Sequence, residues 1–176
     1  MLKDAENKSK QFEENGKGLT LKLAEEYLKI KCELAEILNF LPDPTFILNH
    51  EEKVIAWNPA MEEFTNIKAE DMIGKDSYEY QIPYYEEKIP NLAELLIKSH
   101  EENEKKFIHF EKIKNTITAE VFLPQLSYEG KYLWIKAEPL YGIHDKIIGA
   151  IETIRDITKY KITEQKLEEL EKSKNK

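Results

Sequence analysis

The chain has 176 residues, of which 41% are hydrophobic, and this size fits one domain of ordinary dimensions plus some additional chain. Its formal net charge of -8 at pH 7 removes the electrostatic basis for nonspecific binding to nucleic acid or anionic lipid. No apolar run approaches the roughly 18 residues that a membrane span needs, and no signal-peptide pattern is present. The single Cys32 cannot form an intrachain disulfide, which fits a reducing compartment, and we expect a cytoplasmic protein. From the charge and the short apolar runs we expect no nucleic acid partner and no membrane segment in this chain.

The N-terminal region has two parts. Residues 1–18 are polar and contain the breaker sequence "NGKG", which predicts a disordered or linker segment. Over residues 19–41, apolar residues recur at alternating steps of three and four, and this heptad pattern predicts a helix that pairs in parallel with a second copy. The alternative is an amphipathic helix that packs only on its own domain. The predicted dimer seam consists of Leu23, Tyr27, Ile30, Leu34, Ile37 and Leu41.

The next region predicts a hairpin and then several short helices. "TFILN" and "VIAW" have the composition of strands and are separated by the polar turn "HEEK". Asn58 then stands where an N-cap belongs, and Pro59 occupies the first helical position. A longer helix is predicted from about Tyr84 or Asn91 to His100.

Three further strands are predicted, from "NTITAEVFLPQL", "YLWIKAEPLY" and "IIGAIETIRDI". Together with the hairpin they indicate an α+β fold, a five-stranded antiparallel sheet with helices on one face. The last strand is apolar on both faces, so its outer face needs a cover, and the N-terminal helix is the available candidate. One face of this strand carries Ile147, Gly149, Ile151 and Thr153, and the other carries Ile148, Ala150 and Ile154.

Two stretches carry a family resemblance. The first, "FILNHEEKVIAWNPAMEEFTNIKAEDMIGK" (46–75), has the order strand, turn, strand, Asn cap, helix, glycine. The second, "GKYLWIKAEPLYGIHDKIIGAIETIRDIT" (130–158), ends in Asp-Ile-Thr. In their order and spacing they resemble the PAS domain, a sensor module of bacterial and archaeal signalling proteins. The resemblance implies a PAS domain over residues 42–158, followed by a C-terminal signalling helix over 159–176.

In PAS proteins the chain after the last strand is usually the output. The resemblance therefore implies a signal relay at Asp156 and Thr158 that leads to a downstream effector such as a histidine kinase. Physically, Asp156 can cap the amides of the following helix and reach a cation, and Thr158 adds a hydroxyl at the turn. The alternative is that residues 159–176 form a frayed polar tail.

A small ligand, if one binds, is expected between the inner sheet face and the helices. Most aromatic residues at strand positions are core residues, so we expect no more than three ligand contacts. The aromatic candidates are Trp57, Phe64, Tyr84, Tyr85, Phe122, Tyr132 and Trp134, and the polar candidates are Asn58, Tyr78 and His109.

The positions of the cysteine and the histidines indicate which cofactors the chain could bind. PAS domains that form a cysteinyl-flavin adduct carry a cysteine after the glycine, whereas here that stretch is "GKDSYEYQIP", so this photochemistry is disfavoured. Haem and a small metabolite are the cofactors left to consider, with His100 as a candidate axial ligand of haem iron and His109 as a second. The polar sequence "KSHEEN" around His100 instead favours a solvated helix end. No group of His, Cys or carboxylate residues has convincing metal-ligand spacing, so no metal is expected.

The chain carries no Gly-x-Ser-x-Gly elbow, P-loop or dinucleotide fingerprint, and we therefore expect a non-enzyme. Two functions remain. The first is a sensory domain that responds to a ligand, cofactor or redox state, and the alternative is a ligand-free PAS module for dimerisation or protein docking.

Overall fold

The computed structural model describes residues 2–80, 91–97, 107–124, 126 and 129–174, and the chain forms two compact units, Met1–Phe40 and Leu41–Lys176. The helices are α1 (Leu2–Phe40), α2 (Pro59–Thr65), α3 (Ala69–Met72), α4 (Leu92–Ile97) and α5 (Thr158–Lys174), with 3₁₀ helices at Ser77–Tyr80 and Ile143–Asp145. The strands are β1 (Thr45–Asn49), β2 (Val54–Trp57), β3 (His109–Ile113), β4 (Thr116–Leu123), β5 (Lys131–Tyr141) and β6 (Ile147–Asp156).

The first unit is the single helix α1, which begins at Leu2. Residues 2–18 are therefore helical in the structure, whereas the sequence predicts a disordered or linker segment there. Two glycines in "NGKG" cost roughly 1 kcal/mol each relative to alanine, a penalty that weakens a helix without requiring it to end. The seam residues from Leu23 to Ile37 are all at least half exposed within the single chain, with Ile30 the least exposed at 50%.

The second unit is built on one antiparallel sheet with the strand order β2-β1-β6-β5-β4-β3. The first strand thus lies beside the last, with Thr45 opposite Thr153. The pairing continues beyond the strands, because the Ile154 amide donates to the Pro44 carbonyl at 2.9 Å. Arg155 forms an ion pair with Asp43 next to it. The chain segments before β1 and after β6 therefore lie at the same end of the sheet.

The structure has six strands where the sequence predicts five, and β3 is the additional one. A two-residue turn at Lys114–Asn115 joins β3 to β4, and Lys114 takes the left-handed conformation at φ 55°. Strand β3 offers little apolar signal, because it is exposed except for the half-buried Phe110. An edge strand with one core-facing residue lacks the alternation on which the strand prediction rests.

The core lies on the inner face of the sheet, where every second residue is buried along β4 and along the central parts of β5 and β6. The register places Ala119 opposite Ile135 and Ile135 opposite Ile154, so buried side chains from neighbouring strands form continuous rows. Helix α4 packs on this face and contacts all the central strands. The sheet is thus covered by helix on the face that carries its apolar side chains, as predicted.

Strand β2 is at one edge of the sheet, and its backbone is paired on the outer side as well. The Val54 amide donates to the Lys75 carbonyl at 2.9 Å, and the Gly74 amide donates to the Val54 carbonyl at 2.8 Å. Gly74 has φ +85°, a backbone conformation that L residues rarely adopt. The chain after α3 therefore closes this edge.

Asn58 is fully buried at the N-terminus of α2 and connects three chain segments. Its Oδ1 accepts hydrogen bonds from the amides of Thr45 and Met61, each at 2.9 Å. Its Nδ2 donates to the carbonyls of Leu41 at 3.2 Å and Asp43 at 3.0 Å. The predicted N-cap is confirmed, and the same side chain also holds the segment before β1.

We expect Asn58→Ala to lower the free energy of unfolding by about 2–4 kcal/mol, because it leaves buried backbone groups without partners. Urea denaturation followed by circular dichroism measures this change. Asn39→Ala, at an exposed position of α1, is the matched control and should change stability by less than about 0.5 kcal/mol. Equal effects of the two substitutions would contradict the structural role of Asn58.

Candidate functional site

A buried carboxyl group, Glu152, lies in the middle of the inner sheet face and is 1% exposed. Along β6 it stands between Ala150 and Ile154, and on the adjacent strands it is opposite Phe46 and Ala137. All four neighbours are buried and apolar. These surroundings strongly disfavour the charged form of a carboxyl group.

Helix α4 provides the hydrogen-bond partner of this group. The Ala93 amide donates to Oε2 of Glu152 at 2.9 Å. Burial raises the pKa of Glu152 from its ordinary 4.5 to about 8, the amides of Ala93 and Leu92 oppose this increase, and the charge of Glu94 adds to it. With this pKa the carboxyl group keeps its proton at neutral pH.

A second polar cluster lies at the start of α4. The Ser77 hydroxyl donates to Oε1 of Glu94, and Nδ2 of Asn91 lies 3.5 Å from the same oxygen. The Asn91 carbonyl accepts the amides of Glu94 and Leu95, which starts the helix. Both Ser77 and Asn91 are buried.

This inner-face site thus combines two carboxyl groups, a hydroxyl and an amide around one short helix. Such a set can bind hydrogen-bond donors or exchange a proton. Within the described ranges, no group of three or more His, Cys, Asp or Glu residues could hold a metal ion.

Three of the predicted ligand residues lie in the helix-covered half of the domain. Trp57 is buried, its Nε1 donates to the Ile67 carbonyl at 3.2 Å, and its ring lies 5.9 Å from that of Phe46. Phe64 is half-buried against the core. Asn58 uses both of its side-chain polar atoms for backbone groups, so it acts in this structure as a connector of chain segments.

Four other predicted residues lie on the opposite, outer face. Phe122 and Tyr132 are cross-strand neighbours with ring centroids 4.7 Å apart. Trp134 lies two residues after Tyr132 on β5 and therefore shares its face. His109 is exposed on β3. The structure therefore does not bring these four together with Trp57 on the face where a ligand is expected.

The remaining candidates fall where the structure gives no side-chain description. Tyr84, Tyr85 and His100 lie outside the described residues. Tyr78 belongs to the 3₁₀ helix Ser77–Tyr80, and its side chain is not described.

Glu152 was missed by the sequence prediction, although a signal for it exists. The stretch "GAIETI" places a glutamate in phase with Ala150 and Ile154, which are both core residues. A charged residue in the apolar phase of a central strand is rare unless it has a specific partner. Residue type alone does not distinguish this glutamate from exposed ones, whereas its phase along the strand does.

The predicted relay residues lie at the junction of β6 and α5. Asp156 accepts the Thr158 amide at 2.9 Å through Oδ1, and its Oδ2 lies 2.9 Å from Nζ of Lys131. The Thr158 hydroxyl accepts the Tyr132 amide at 2.9 Å, and the Tyr132 carbonyl accepts the Ile157 amide at 2.9 Å. Burial alone would raise the pKa of Asp156, but the hydrogen bonds from Lys131 and Thr158 outweigh it and lower this pKa.

An ion pair that the sequence did not predict extends this junction. Nζ of Lys161, in the first turn of α5, lies 2.8 Å from Oε2 of Glu120 on β4. Both side chains are largely buried, with exposures of 22% and 20%. The hydrogen bond to Glu120 is the main reason that the pKa of Lys161 is raised. Helix α5 is thereby attached to both β4 and β5.

A single antiparallel sheet with short helices on its inner face defines a small α+β domain. The family model of the PAS fold matches residues 32–157, and the chain belongs to the PAS family. PAS domains are in general sensory and not catalytic. None of the curated proteins matches the chain in sequence.

Among solved structures, one with a TM-score above 0.5 shares the fold, and two PAS domains give lower scores. An RNA-binding light-oxygen-voltage receptor superposes with a TM-score of 0.56 at 14% identity, over 82% of this chain and 37% of the receptor. The PAS domain of BvgS from Bordetella pertussis gives 0.49 at 14% identity, over 79% of this chain and 95% of that domain. A PAS domain from Colwellia psychrerythraea gives a TM-score of 0.48 at 19% identity, over 74% of this chain and 98% of that domain.

In the parts of the chain that the structure describes, none of the helices combines the length and apolar character needed to cross a bilayer.

The raised pKa of Glu152 predicts a specific pH dependence of stability. Between pH 4.5 and 8 the folded state keeps the proton while the unfolded state releases it, so rising pH favours unfolding. We expect this group to lower the free energy of unfolding by about 1.4 kcal/mol per pH unit over this interval. Glu152→Gln should remove this slope and make the protein more stable at pH 7.5.

Urea denaturation at half-unit pH steps from 5 to 7.5, in the wild type and in Glu152→Gln, isolates the slope as the difference between the two proteins. Glu138→Gln, on the outer face of β5, is the control and should retain the wild-type slope. Parallel curves for wild type and Glu152→Gln would show that Glu152 is ionised in the folded state.

Proposed function

We propose that this PAS domain is a cytoplasmic sensory module that responds to a small ligand, a cofactor or a redox state. The response passes through α5 to an effector such as a histidine kinase. The observation that carries this proposal is the attachment of α5 to the sheet through the backbone of Tyr132.

This attachment offers a short mechanical path. Tyr132 binds the start of α5 with both its amide and its carbonyl, and the next residue, Leu133, is a buried core residue. A ligand that displaces the core at Leu133 would therefore displace β5 at Tyr132. Since Thr158 and Ile157 are bonded there, the axis of α5 would move with the strand.

The alternative proposal is a ligand-free module for dimerisation or docking, and the exposed seam of α1 favours it. An absorption spectrum and a native mass of the purified protein discriminate between the two. A haem or flavin band, or added mass from a retained metabolite, supports the ligand-responsive module. A spectrum and mass of the bare polypeptide in every preparation favour the ligand-free module.

Asp156→Ala tests the relay, because it removes a helix cap and the Lys131 ion pair while leaving the core untouched. Loss of a cap costs about 1 kcal/mol, so we expect roughly five-fold faster hydrogen exchange in the first turns of α5. Exchange in β4, β5 and β6 should be unchanged. Glu171→Ala, farther along the same helix, is the control and should leave the first turns as they are.

Faster exchange over the whole sheet in Asp156→Ala would instead make Asp156 a residue of fold stability and remove the basis for the relay. In a full-length kinase carrying this module, the substitution should shift basal output without a change in ligand affinity.

We propose in addition that α1 forms a parallel homodimer. Burying a Leu or Ile side chain contributes about 1.5–3 kcal/mol, so Ile30→Glu with Leu34→Glu should give monomers in analytical ultracentrifugation. The matched control is Cys32→Glu with Asn39→Glu, which adds the same charge at outward heptad positions and should leave the dimer intact. A wild type that is monomeric at high micromolar concentration would contradict this assembly.

A further inference from the structure

Glu152 connects the sheet to α4 by a side-chain contact that the proposed relay does not use. Its side chain lies on β6, and its hydrogen bond is donated by Ala93 of α4. Among the described residues, no Lys, Arg or His forms an ion pair with it. Within the part of the chain that the structure describes, this polar contact between β6 and α4 is therefore made by a carboxyl group that has no counter-charge.

Burial and the nearby charge of Glu94 favour the neutral form of this carboxyl group, and they outweigh the amides of Ala93 and Leu92, which favour the charged form. Strands β1 and β5 place the apolar Phe46 and Ala137 opposite it. From α4, Glu94 is the charged group in the described residues that acts on it, and its charge has the same sign. The Ala93 amide is a neutral donor that can bond to a protonated carboxyl as well as to a carboxylate.

Undocking of α4 from the sheet would change both the burial and the hydrogen bonding of Glu152. The carboxyl group would lose its amide donor and gain contact with water, where an ordinary glutamate releases its proton above pH 4.5. The docked and undocked states therefore hold different numbers of protons at neutral pH.

We propose that Glu152 and α4 form a proton-linked latch, in which α4 docks on the inner sheet face when Glu152 carries a proton and undocks with release of that proton. The latch makes access to the inner face dependent on pH. It concerns α4 and stands whether or not α5 relays a signal.

Linkage fixes the size of the effect. Between pH 4.5 and 8, one proton is released on opening, so the opening constant rises about tenfold per pH unit and becomes constant above pH 8. The Glu152→Gln variant keeps a polar side chain of the same shape that has no proton to release. Its opening constant should not vary with pH.

Two measurements on the whole chain test the latch. The first is the titration of the Glu152 side-chain carbonyl carbon by ¹³C NMR, assigned by its absence in Glu152→Gln, and we expect a midpoint near pH 8. The second is hydrogen exchange of the α4 amides, corrected for the intrinsic pH dependence of exchange. Protection should fall about tenfold per pH unit between pH 5.5 and 7.5 in the wild type and in the Glu138→Gln control, and stay constant in Glu152→Gln.

Opening of α4 must also occur without global unfolding, so its amides should exchange at least tenfold faster than the amides of β5 and β6. A carbon midpoint below pH 6 would overturn the proposal, because the docked state would then hold a carboxylate. Identical protection in α4 and the sheet would overturn it as well, since α4 would open only when the whole domain unfolds. If Glu152→Gln fails to fold, the wild-type titration and the comparison of α4 with the sheet still decide the outcome.

Discussion

The pairing of β1 with β6 is the constraint on which the rest of this domain depends. It joins residues that are about 100 positions apart in the chain, and it places the hairpin β1–β2 beside the meander β3–β6 in one sheet. A close backbone approach makes this pairing sensitive to side-chain size. A Cβ atom at Gly149 would lie 2.1 Å from the Leu48 carbonyl oxygen, so a glycine is required there.

The inner face of this sheet contains both apolar side chains that stabilise the fold and a carboxyl group that opposes this stabilisation when it ionises. The apolar rows of β4, β5 and β6 stabilise the fold by removing hydrocarbon from water. Glu152 interrupts those rows and opposes that gain at any pH at which it would ionise. The inner face therefore contains one position at which ionisation would lower the stability of the fold.

Much of the fold was predictable because it follows from local chemistry. The strands follow from alternation, and the start of α2 follows from Asn58 and Pro59, whose roles depend on adjacent residues alone. The candidate site was less predictable, since its members come from β6, α4 and a 3₁₀ helix. Aromatic character suggested Tyr132 and Trp134 as ligand contacts on the inner face. Both residues are adjacent to the buried Leu133, and this alternation assigns them to the outer face. The Lys161–Glu120 pair needed the three-dimensional register of β4 and α5, which no local pattern contains.

The closed edge at β2 has a consequence for how copies of this domain can associate. Sheets with open edges tend to join edge to edge, and this is a route to fibrillar aggregates. At β2 the Val54 amide and carbonyl are already bonded to the chain after α3, and Lys53 pairs with Asp76 beside them. A second molecule cannot pair with the Val54 backbone, so edge-to-edge addition of a strand is blocked at that position.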